Sequence, residues 1–323
     1  MSRRSLFVVI QPLQYLQALE IKREEEESVL LRLWIDGASQ LENLVDVREW
    51  DLVIDLPLRG SLTDLVVHSR LIKATLLRLG DFDRVILSSY YNDFMNHLSS
   101  KFAESETWIL EDGNVTLVMD GHRHYQRAKF FVKRAVAALF FFDIAPIKGA
   151  TFFLLDRGNA TVVPELAGNV VFHSFERLRS ATEQFPATEK VFFISSCYVR
   201  SQMIDRSKYE SFLLRVSDMF KPLQVVILLH RFEAKSDYPL LSEVENISII
   251  ESCGPVELLF QELNVRPKQV FSAGSAASDT LNLIYGAPIQ VLLPPIEDFF
   301  TEYQRELADL AAYYDRIASL EII

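Results

Sequence analysis

Residues 107–114 read Thr-Trp-Ile-Leu-Glu-Asp-Gly-Asn, and this stretch decides the fold that the sequence predicts. It begins as a short apolar run, typical of a buried strand, and ends at Glu111, Asp112 and Gly113. Ligands of α/β proteins bind beyond the carboxyl ends of parallel strands. Successive strand side chains point to opposite faces, so we expect Asp112 at the open end of the sheet and Glu111 in a cap or ion pair. An acidic strand-to-turn corner without catalytic function is the alternative.

Strand-like runs alternate with helical periodicity along the chain, which predicts an α/β fold with parallel, doubly wound sheets. In the first half, strands are predicted at residues 6–10, 29–35, 50–56, 84–88 and 107–110, and helices at 13–26, 61–79, 92–102 and 121–142. In the second half, strands are predicted at residues 191–195, 224–229, 247–251, 269–272 and 290–293, and helices at 208–220, 256–263, 278–285 and 297–320.

The length of 323 residues predicts two domains. Residues 152–187 are interrupted by glycine and proline and are expected to form short strands and a connection, so the domains are predicted as 1–187 and 188–323. Two doubly wound halves, with a terminal helix able to cross back, indicate a GT-B type architecture of two Rossmann-like domains facing a central cleft. The sequence has neither Gly-x-Gly-x-x-Gly nor a Walker A motif, so dinucleotide and ATP binding lack their usual phosphate loop.

Composition excludes several functional classes. The net charge of -11 argues against nucleic acid as a partner, because binding phosphates requires clustered cations. Cys197 and Cys253 have no paired spacing, so neither a disulfide framework nor a zinc site is predicted, and a reducing cytoplasm fits best. Asp81-Phe82-Asp83 has the form of a metal-binding Asp-x-Asp, but it precedes a strand, at the wrong end for ligand binding. We predict a loop there, and no metal.

No segment is predicted to span a membrane. The apolar run at residues 5–10 is interrupted by Gln11-Pro12, which favours a first buried strand over a signal peptide. The apolar block 135–142 is shorter than the roughly 20 residues that a span requires. Four cations precede this block, so the helix could contact the inner face of a membrane, although burial between layers is the preferred interpretation. These cations are Arg127, Lys129, Lys133 and Arg134.

Three features of the second half could bind a nucleotide. His230 and Arg231 end a predicted strand, where they could meet a phosphate, or His230 could be satisfied by a backbone carbonyl. The hydroxyl-rich turn of residues 273–280 opens a helix, where free N–H groups attract phosphate, although an ordinary helix cap has the same composition. Glu257, in the first turn of another helix, could accept hydrogen bonds from two ribose hydroxyls or could simply complement the helix dipole.

Other polar residues follow predicted strands. Residues 88–92 close a strand at the same edge as Asp112 and could line an acceptor pocket, or form a capped loop. Ser196 ends the first strand of the second half and could approach the nucleotide. His122-Arg123-His124 could contact a substrate, although a solvated helix start is the simpler interpretation.

Taken in their order along the chain, these motifs resemble those of the bacterial sialyltransferases of the lipooligosaccharide and polysialyltransferase type. That family has an acidic pair plus glycine, a His-Pro, and a Ser-Ser or Ser-Thr pair, and the Pro12-Leu13-Gln14 opening is similar to one common in the group. The likeness spans nearly the whole chain. It departs from the family at His230, which is followed by arginine instead of proline, and at Ser278-Asp279-Thr280.

The resemblance implies inverting transfer of sialic acid, or a related nonulosonic acid, from a CMP-activated donor to a sugar hydroxyl of a glycan acceptor, with no other cofactor. Asp112 would be the general base and His230 would stabilise the leaving phosphate. The donor would be bound by Glu111, Gly113, Ser196, Arg231, Glu257, Gly274, Ser275, Ser278 and Thr280. The acceptor would be bound by Ser89, Tyr90, Asn92 and Asn114. The oligomeric state and the acceptor are left open.

Two further hypotheses stand beside this enzyme. The departures at His230 and Asp279 are compatible with a two-domain binding protein that has a degenerate site. A different nucleotide-sugar transferase of the same architecture is the third hypothesis. Turnover of a sugar nucleotide separates the first two, and the nucleotide that raises the melting temperature separates the first from the third.

Overall fold

The computed structural model describes residues 3–33, 39–112, 128–156, 167–230, 232–251, 254–275, 277–288, 290–317 and 319–323. The described chain divides into two compact units. The first comprises residues 3–156 and 167–173, and the second comprises residues 174–323. The division therefore falls earlier than the boundary predicted at residue 187.

The first unit is built around a parallel sheet. Its described strands are β1 (Arg4–Val9), β2 (Glu27–Leu33), β3 (Leu52–Leu56), β4 (Arg84–Leu87), β5 (Glu106–Leu110), β6 (Thr151–Leu155) and β7 (Asn169–His173). Among the described residues they form one sheet of order β3-β2-β1-β4-β5-β6-β7, and every pairing is parallel. The helices are α1 (Pro12–Ile21), α2 (Ser39–Leu44), α3 (Leu62–Val67), α4 (Ser69–Leu79), α5 (Asp93–Lys101) and α6 (Ala128–Leu139).

The second unit repeats this plan. Its described strands are β8 (Ala187–Ile194), β9 (Val225–Leu229), β10 (Ile247–Glu251), β11 (Arg266–Ser272), β12 (Gln290–Leu293) and β13 (Ser319–Ile322). They pair in parallel in the order β10-β9-β8-β11-β12-β13. The helices are α7 (Glu176–Thr182), α8 (Arg206–Met219), α9 (Val256–Glu262), α10 (Ala277–Tyr285) and α11 (Thr301–Ile317). Two Rossmann-like α/β units are therefore present, as the alternation predicted.

The inner strands of the first sheet, β1, β2, β4, β5 and β6, are largely buried on both faces, which explains their continuous apolar runs. In β1, Leu6 and Val8 belong to one core cluster, whereas Phe7 and Val9 belong to another on the opposite face. The second cluster also contains Tyr15 of α1, together with Trp50 and Trp108. A parallel sheet covered by helices on both sides has no polar face, so its strands lack the alternation of a half-exposed sheet.

Several predicted boundaries were wrong. The helix predicted at 61–79 is two helices, α3 and α4, which meet at His68. The helix predicted at 297–320 begins at Thr301 and leads into β13, a strand that the sequence analysis missed. Of the helix predicted at 121–142, the described part is α6, and residues 113–127 lie outside the described residues.

The loop predicted at Asp81-Phe82-Asp83 is confirmed, and Asp83 Oδ2 accepts a hydrogen bond from the Arg4 backbone N–H at 2.7 Å. No helix in the described ranges is long and apolar enough to cross a bilayer.

Candidate functional site

The strand order of the first unit fixes where its candidate site lies. The chain passes from β1 outward to β2 and β3, and then returns to β4 on the other side of β1. The carboxyl ends of β1 and β4 therefore flank the topological switch point, where α/β sheets bind ligands. Asp112 follows β5, the neighbour of β4, so the sheet brings it to this edge.

Gln14 of α1 joins the three strand ends at the switch point. Its Oε1 accepts hydrogen bonds from the backbone N–H groups of Ile10 and Gln11, both at 2.9 Å. Its Nε2 donates to the Ser88 carbonyl at 3.0 Å and to Asp112 Oδ1 at 2.9 Å. The side chain is 1% exposed, and its amide uses both donor hydrogens and both acceptor positions. Gln14 therefore fixes Asp112 relative to β1 and β4.

Gln17, one turn further along the same face of α1, holds Glu111 in a similar way. Gln17 Nε2 donates to the Glu111 carbonyl, and the Glu111 N–H donates to Gln17 Oε1, each at 2.9 Å. The Glu111 carboxylate is fully buried and accepts a hydrogen bond from the Leu155 N–H at 2.8 Å. Glu111 thus ties β5 to the end of β6. The contact shown is a hydrogen bond from a strand N–H, where a helix cap or an ion pair was expected, and the donor contact assigned to Glu111 stays a prediction.

Burial raises the pKa of Asp112 above that of an ordinary aspartate, and hydrogen bonds from Ser89 and Gln14 oppose this increase. A carboxylate with a raised pKa is a better proton acceptor than a solvated one. The oriented side chain is therefore suited to general base chemistry.

The predicted acceptor residues have different surroundings. Ser89 contacts Asp112. Tyr90 is 2% exposed and its hydroxyl donates to the Ile147 carbonyl at 3.1 Å, so its side chain is part of the core. Asn92 caps α5, because its Oδ1 accepts from the N–H groups of Phe94 and Met95. Asn92 thus has the capping role of the alternative interpretation and Tyr90 packs in the core, and contacts of either residue with an acceptor stay predictions.

Asn92 also explains a nearby glycine. Gly60 has a φ of 83°, and a Cβ there would lie 2.3 Å from Asn92 Oδ1. Gly113, Asn114, Arg231 and the segment His122-Arg123-His124 lie outside the described residues.

The second unit has its own switch point, between β8 and β11. Ser196 follows β8, and its hydroxyl donates to the Ala273 carbonyl beyond β11 at 2.7 Å. The Tyr198 hydroxyl donates to the same carbonyl at 2.7 Å. Gly274 has a φ of 73°, and a Cβ there would lie 3.2 Å from Tyr198 Oη. A glycine is therefore required for this close turn at the switch point.

His230 follows β9 and is positioned by Glu233. The buried Glu233 carboxylate accepts hydrogen bonds from the His230 N–H at 3.1 Å, from Ser195 Oγ at 2.7 Å and from the Tyr238 hydroxyl. Burial raises the pKa of Glu233. The His230 ring accepts a hydrogen bond at Nδ1 from the Phe232 N–H at 3.3 Å. Glu233 thus links the ends of β8 and β9.

The hydroxyl-rich turn is bonded largely within the unit. The hydroxyls of Ser272 and Ser278 lie 2.6 Å apart, and Ser275 Oγ accepts from the Ala277 N–H at 3.3 Å. Thr280 Oγ1 donates to the buried Glu257 carboxylate at 2.7 Å. Burial raises the pKa of Glu257. Contacts of these side chains with a donor stay predictions.

Sequence reasoning missed three residues that shape these sites: Gln14 as the holder of Asp112, Gln17 and Glu233. The spacing of Gln14 and Gln17, three residues apart on the first helix after β1, was a usable signal, because it places two amides on one helix face. Glu233 gave no comparable signal.

A metal cluster and a second cavity are not part of the candidate site in the described residues. No group of three or more His, Cys, Asp or Glu side chains in the described parts of the chain could hold a metal ion. A polar cavity of about 370 Å³ lies where β5, β6 and β7 begin, lined by Thr107, Thr151 and Asn169 among others. It is at the opposite end of the strands from Asp112 and is not part of the candidate site.

Two parallel Rossmann-like units in one chain define a protein of the GT-B-like fold. The UDP-GlcNAc 2-epimerase of Neisseria meningitidis, bound to UDP-GlcNAc, aligns at 14% identity and a TM-score of 0.51, covering 98% of this chain and 95% of its own. The UDP-GlcNAc 2-epimerase of Methanocaldococcus jannaschii aligns at 11% identity and 0.51, covering 99% and 88%. Arabidopsis thaliana UGT89C1, complexed with UDP-L-rhamnose, aligns at 10% identity and 0.56, covering 99% and 85%.

No protein-family model and no curated protein matches the chain. The resemblance to bacterial sialyltransferases is wrong, because the similar structures are UDP-GlcNAc 2-epimerases and a UDP-sugar complex of GT-B-like fold. The motifs behind it are two or three residues long, and such residues recur at strand ends and in the first turns of helices for structural reasons. Ser278 bonds Ser272, and Thr280 bonds Glu257, within the fold.

Proposed function

We propose that this protein is a glycosyltransferase that uses a nucleoside-diphosphate sugar, with Asp112 as the general base. The observation that carries the proposal is the placement of Asp112 at the switch point of the first sheet. There it is held by Gln14 at 2.9 Å and has a pKa raised by burial. In this scheme Asp112 takes the proton of the acceptor hydroxyl as that oxygen attacks the anomeric carbon. The nucleotide leaves with the electron pair of the broken glycosidic bond.

The second unit would bind the nucleotide. The turn after β11 carries Gly274 and Ser275. His230 follows β9 of the same sheet, and β8 lies between β9 and β11. Backbone N–H groups, hydroxyls and an imidazole are donors suited to a leaving phosphate, and they can act without a metal ion. UDP is the first nucleotide to test, because two of the similar structures hold UDP-sugars. Extending that ligand class to this chain is part of the proposal.

A binding protein with a degenerate site is the second candidate. It is favoured by the contacts of Thr280 and Ser278, whose hydroxyls are bonded to Glu257 and Ser272. In that case the nucleotide would bind but would not turn over.

The test combines binding and turnover. Melting temperatures are measured with UDP, GDP and CMP, and products of UDP-sugars are followed by mass spectrometry with and without sugar acceptors. We expect UDP to raise the melting temperature. We expect Asp112→Asn to lower turnover by about 10²–10⁴-fold while leaving that thermal shift in place. The acid limb of the pH profile should lie above the range of an ordinary aspartate, because the pKa of Asp112 is raised.

Asp55→Asn is the matched control. Asp55 lies in β3 of the same sheet, where its carboxylate accepts two hydrogen bonds from Arg32. This control should keep turnover. Full activity of Asp112→Asn would refute the assignment of the base. An epimeric sugar, separated by chromatography and formed from the UDP-sugar without any acceptor, would indicate an epimerase, whereas hydrolysis of the donor would not. The absence of a thermal shift with every nucleotide would contradict the proposal as a whole.

A further inference from the structure

Helix α6 exposes an apolar face to solvent. Phe131, Val132 and Leu139 are exposed by 61%, 64% and 77%. They lie at helical spacing on one side of α6, whereas Phe130 and Ala137 are buried on the other. A helix buried between layers was the preferred prediction for this segment, and the exposure of these side chains shows that it was wrong.

The exposed face continues beyond the helix. The chain leaves α6 through Phe141, which has a φ of 64° and is 83% exposed. Lys73 of α4 lies over its ring, with Nζ 4.8 Å from the ring centroid. Leu77, one turn further along α4, is 81% exposed. We call this set the α6 patch: Phe131, Val132, Leu139, Phe141 and Leu77.

Cations surround the α6 patch in a chain that is acidic as a whole. Residues 128–142 contain Lys129, Lys133 and Arg134 and no carboxylate, whereas the net charge of the chain is -11. Among the described residues, two carboxylates lie close to these cations: Asp93, which is buried and bonded to Lys133 at 3.0 Å, and Asp143, which lies 3.6 Å from Arg134. Lys129 is exposed on α6.

We infer that the α6 patch docks on an anionic lipid surface. Exposed aromatic and aliphatic side chains flanked by lysine and arginine are the composition of an interfacial helix, which lies in the plane of the headgroups. A helix of 12 residues is too short to span a bilayer. Cations beside the apolar residues favour anionic lipid over a second copy of this acidic chain, because two acidic copies repel each other. The inference does not depend on the proposed enzymatic function.

Vesicle sedimentation tests the inference with the full chain. Vesicles contain phosphatidylcholine alone, or equal parts of phosphatidylcholine and phosphatidylglycerol. We expect binding to the anionic vesicles, weakened by salt. Lys129→Gln and Arg134→Gln should each weaken it by roughly fivefold, the fold-change that corresponds to about 1 kcal/mol per cation near an anionic surface.

The apolar contribution is tested by a matched pair of double variants. Phe131→Ser with Val132→Ser removes two residues of the α6 patch, and we expect roughly tenfold weaker binding or more. Phe172→Ser with Val47→Ser removes side chains of the same types, exposed by 47% and 61%, from other parts of the first unit. The control should bind like the wild type. Melting temperatures of both variants are compared with that of the wild type to establish that the variants are folded.

Three results would overturn the inference. The first is a folded wild type that does not sediment with anionic vesicles. The second is equal loss of binding in the patch variant and the control variant. The third is a wild-type dimer, detected by light scattering, that Phe131→Ser with Val132→Ser converts to a monomer, because the patch would then be an interface between copies.

Discussion

Replacing Gln14 by alanine would test how the candidate base is held. The side chain makes four hydrogen bonds, to the N–H groups of Ile10 and Gln11, to the Ser88 carbonyl and to Asp112. The alanine variant removes all four and leaves buried polar groups without these partners.

The expected loss of stability follows from these contacts. A protein hydrogen bond contributes about 1 kcal/mol net, so four bonds correspond to a loss of about 4 kcal/mol in the free energy of unfolding. Water that enters the vacated space would reduce this figure, whereas buried donors left unsatisfied would increase it. Gln304→Ala is the control, because Gln304 Nε2 makes one bond, to the Phe299 carbonyl at 2.9 Å. We expect a loss of about 1 kcal/mol there.

Tryptophan fluorescence during guanidinium unfolding is the appropriate assay. The three tryptophans of the chain, at positions 34, 50 and 108, all precede Asp112 in sequence. Trp50 and Trp108 lie in the core cluster that also contains Tyr15 of α1, so they report on the element that Gln14 belongs to. Gln304 lies in the second unit, and its variant should be followed by far-UV circular dichroism.

The alanine variant of Gln14 also tests the protonation of Asp112. The Gln14 hydrogen bond lowers the pKa of Asp112, so its removal should raise that pKa further and move the acid limb of activity to higher pH. Gln14→Met, which keeps the side chain length, serves if the alanine variant does not fold. Loss of stability no larger than in Gln304→Ala, together with an unchanged acid limb, would refute the assigned role of Gln14.

Two other predictions concern buried titratable groups. Thr280→Val removes the hydroxyl that donates to Glu257 at 2.7 Å and should cost about 1–3 kcal/mol. Since burial already raises the pKa of Glu257, the loss should grow as pH rises and the carboxyl ionises, as measured by circular dichroism. His97 has a pKa lowered to about 4, mainly by burial, and its Nδ1 lies 3.3 Å from the Asp143 N–H. The unfolded chain therefore binds a proton that the folded chain does not, and stability should fall as pH drops from about 6.5 towards 4. His97→Asn should reduce this dependence in fluorescence-detected unfolding, and an unchanged pH dependence would contradict it.

The sequence by itself determined the architecture. Continuous apolar strands such as β1 and β9 alternate with amphipathic helices, and this pattern is sufficient for two parallel sheets, because both faces of such a sheet are buried. The carboxyl ends of the strands were also predictable, so Asp112, Ser196 and His230 were expected at the correct edges.

Local sequence patterns predicted the ends of helices and strands less well. The pattern over 61–79 is helical throughout, yet two helices form, with the Ser61 and Asp64 side chains capping the first. Strand β13 was missed because four residues of a terminal strand are stabilised by pairing with β12 and not by their own propensity.

Only the tertiary structure decided which side chains act together. Gln14 and Asp112 are 98 positions apart, and no local pattern encodes a hydrogen bond between them. The same holds for the hydrogen bond between Thr280 and Glu257. Short motifs had suggested both residues as contacts of the sugar-nucleotide donor. The exposure of Phe131 and Phe141 was likewise set by packing, because periodicity identifies the apolar side of a helix and not whether another element covers it.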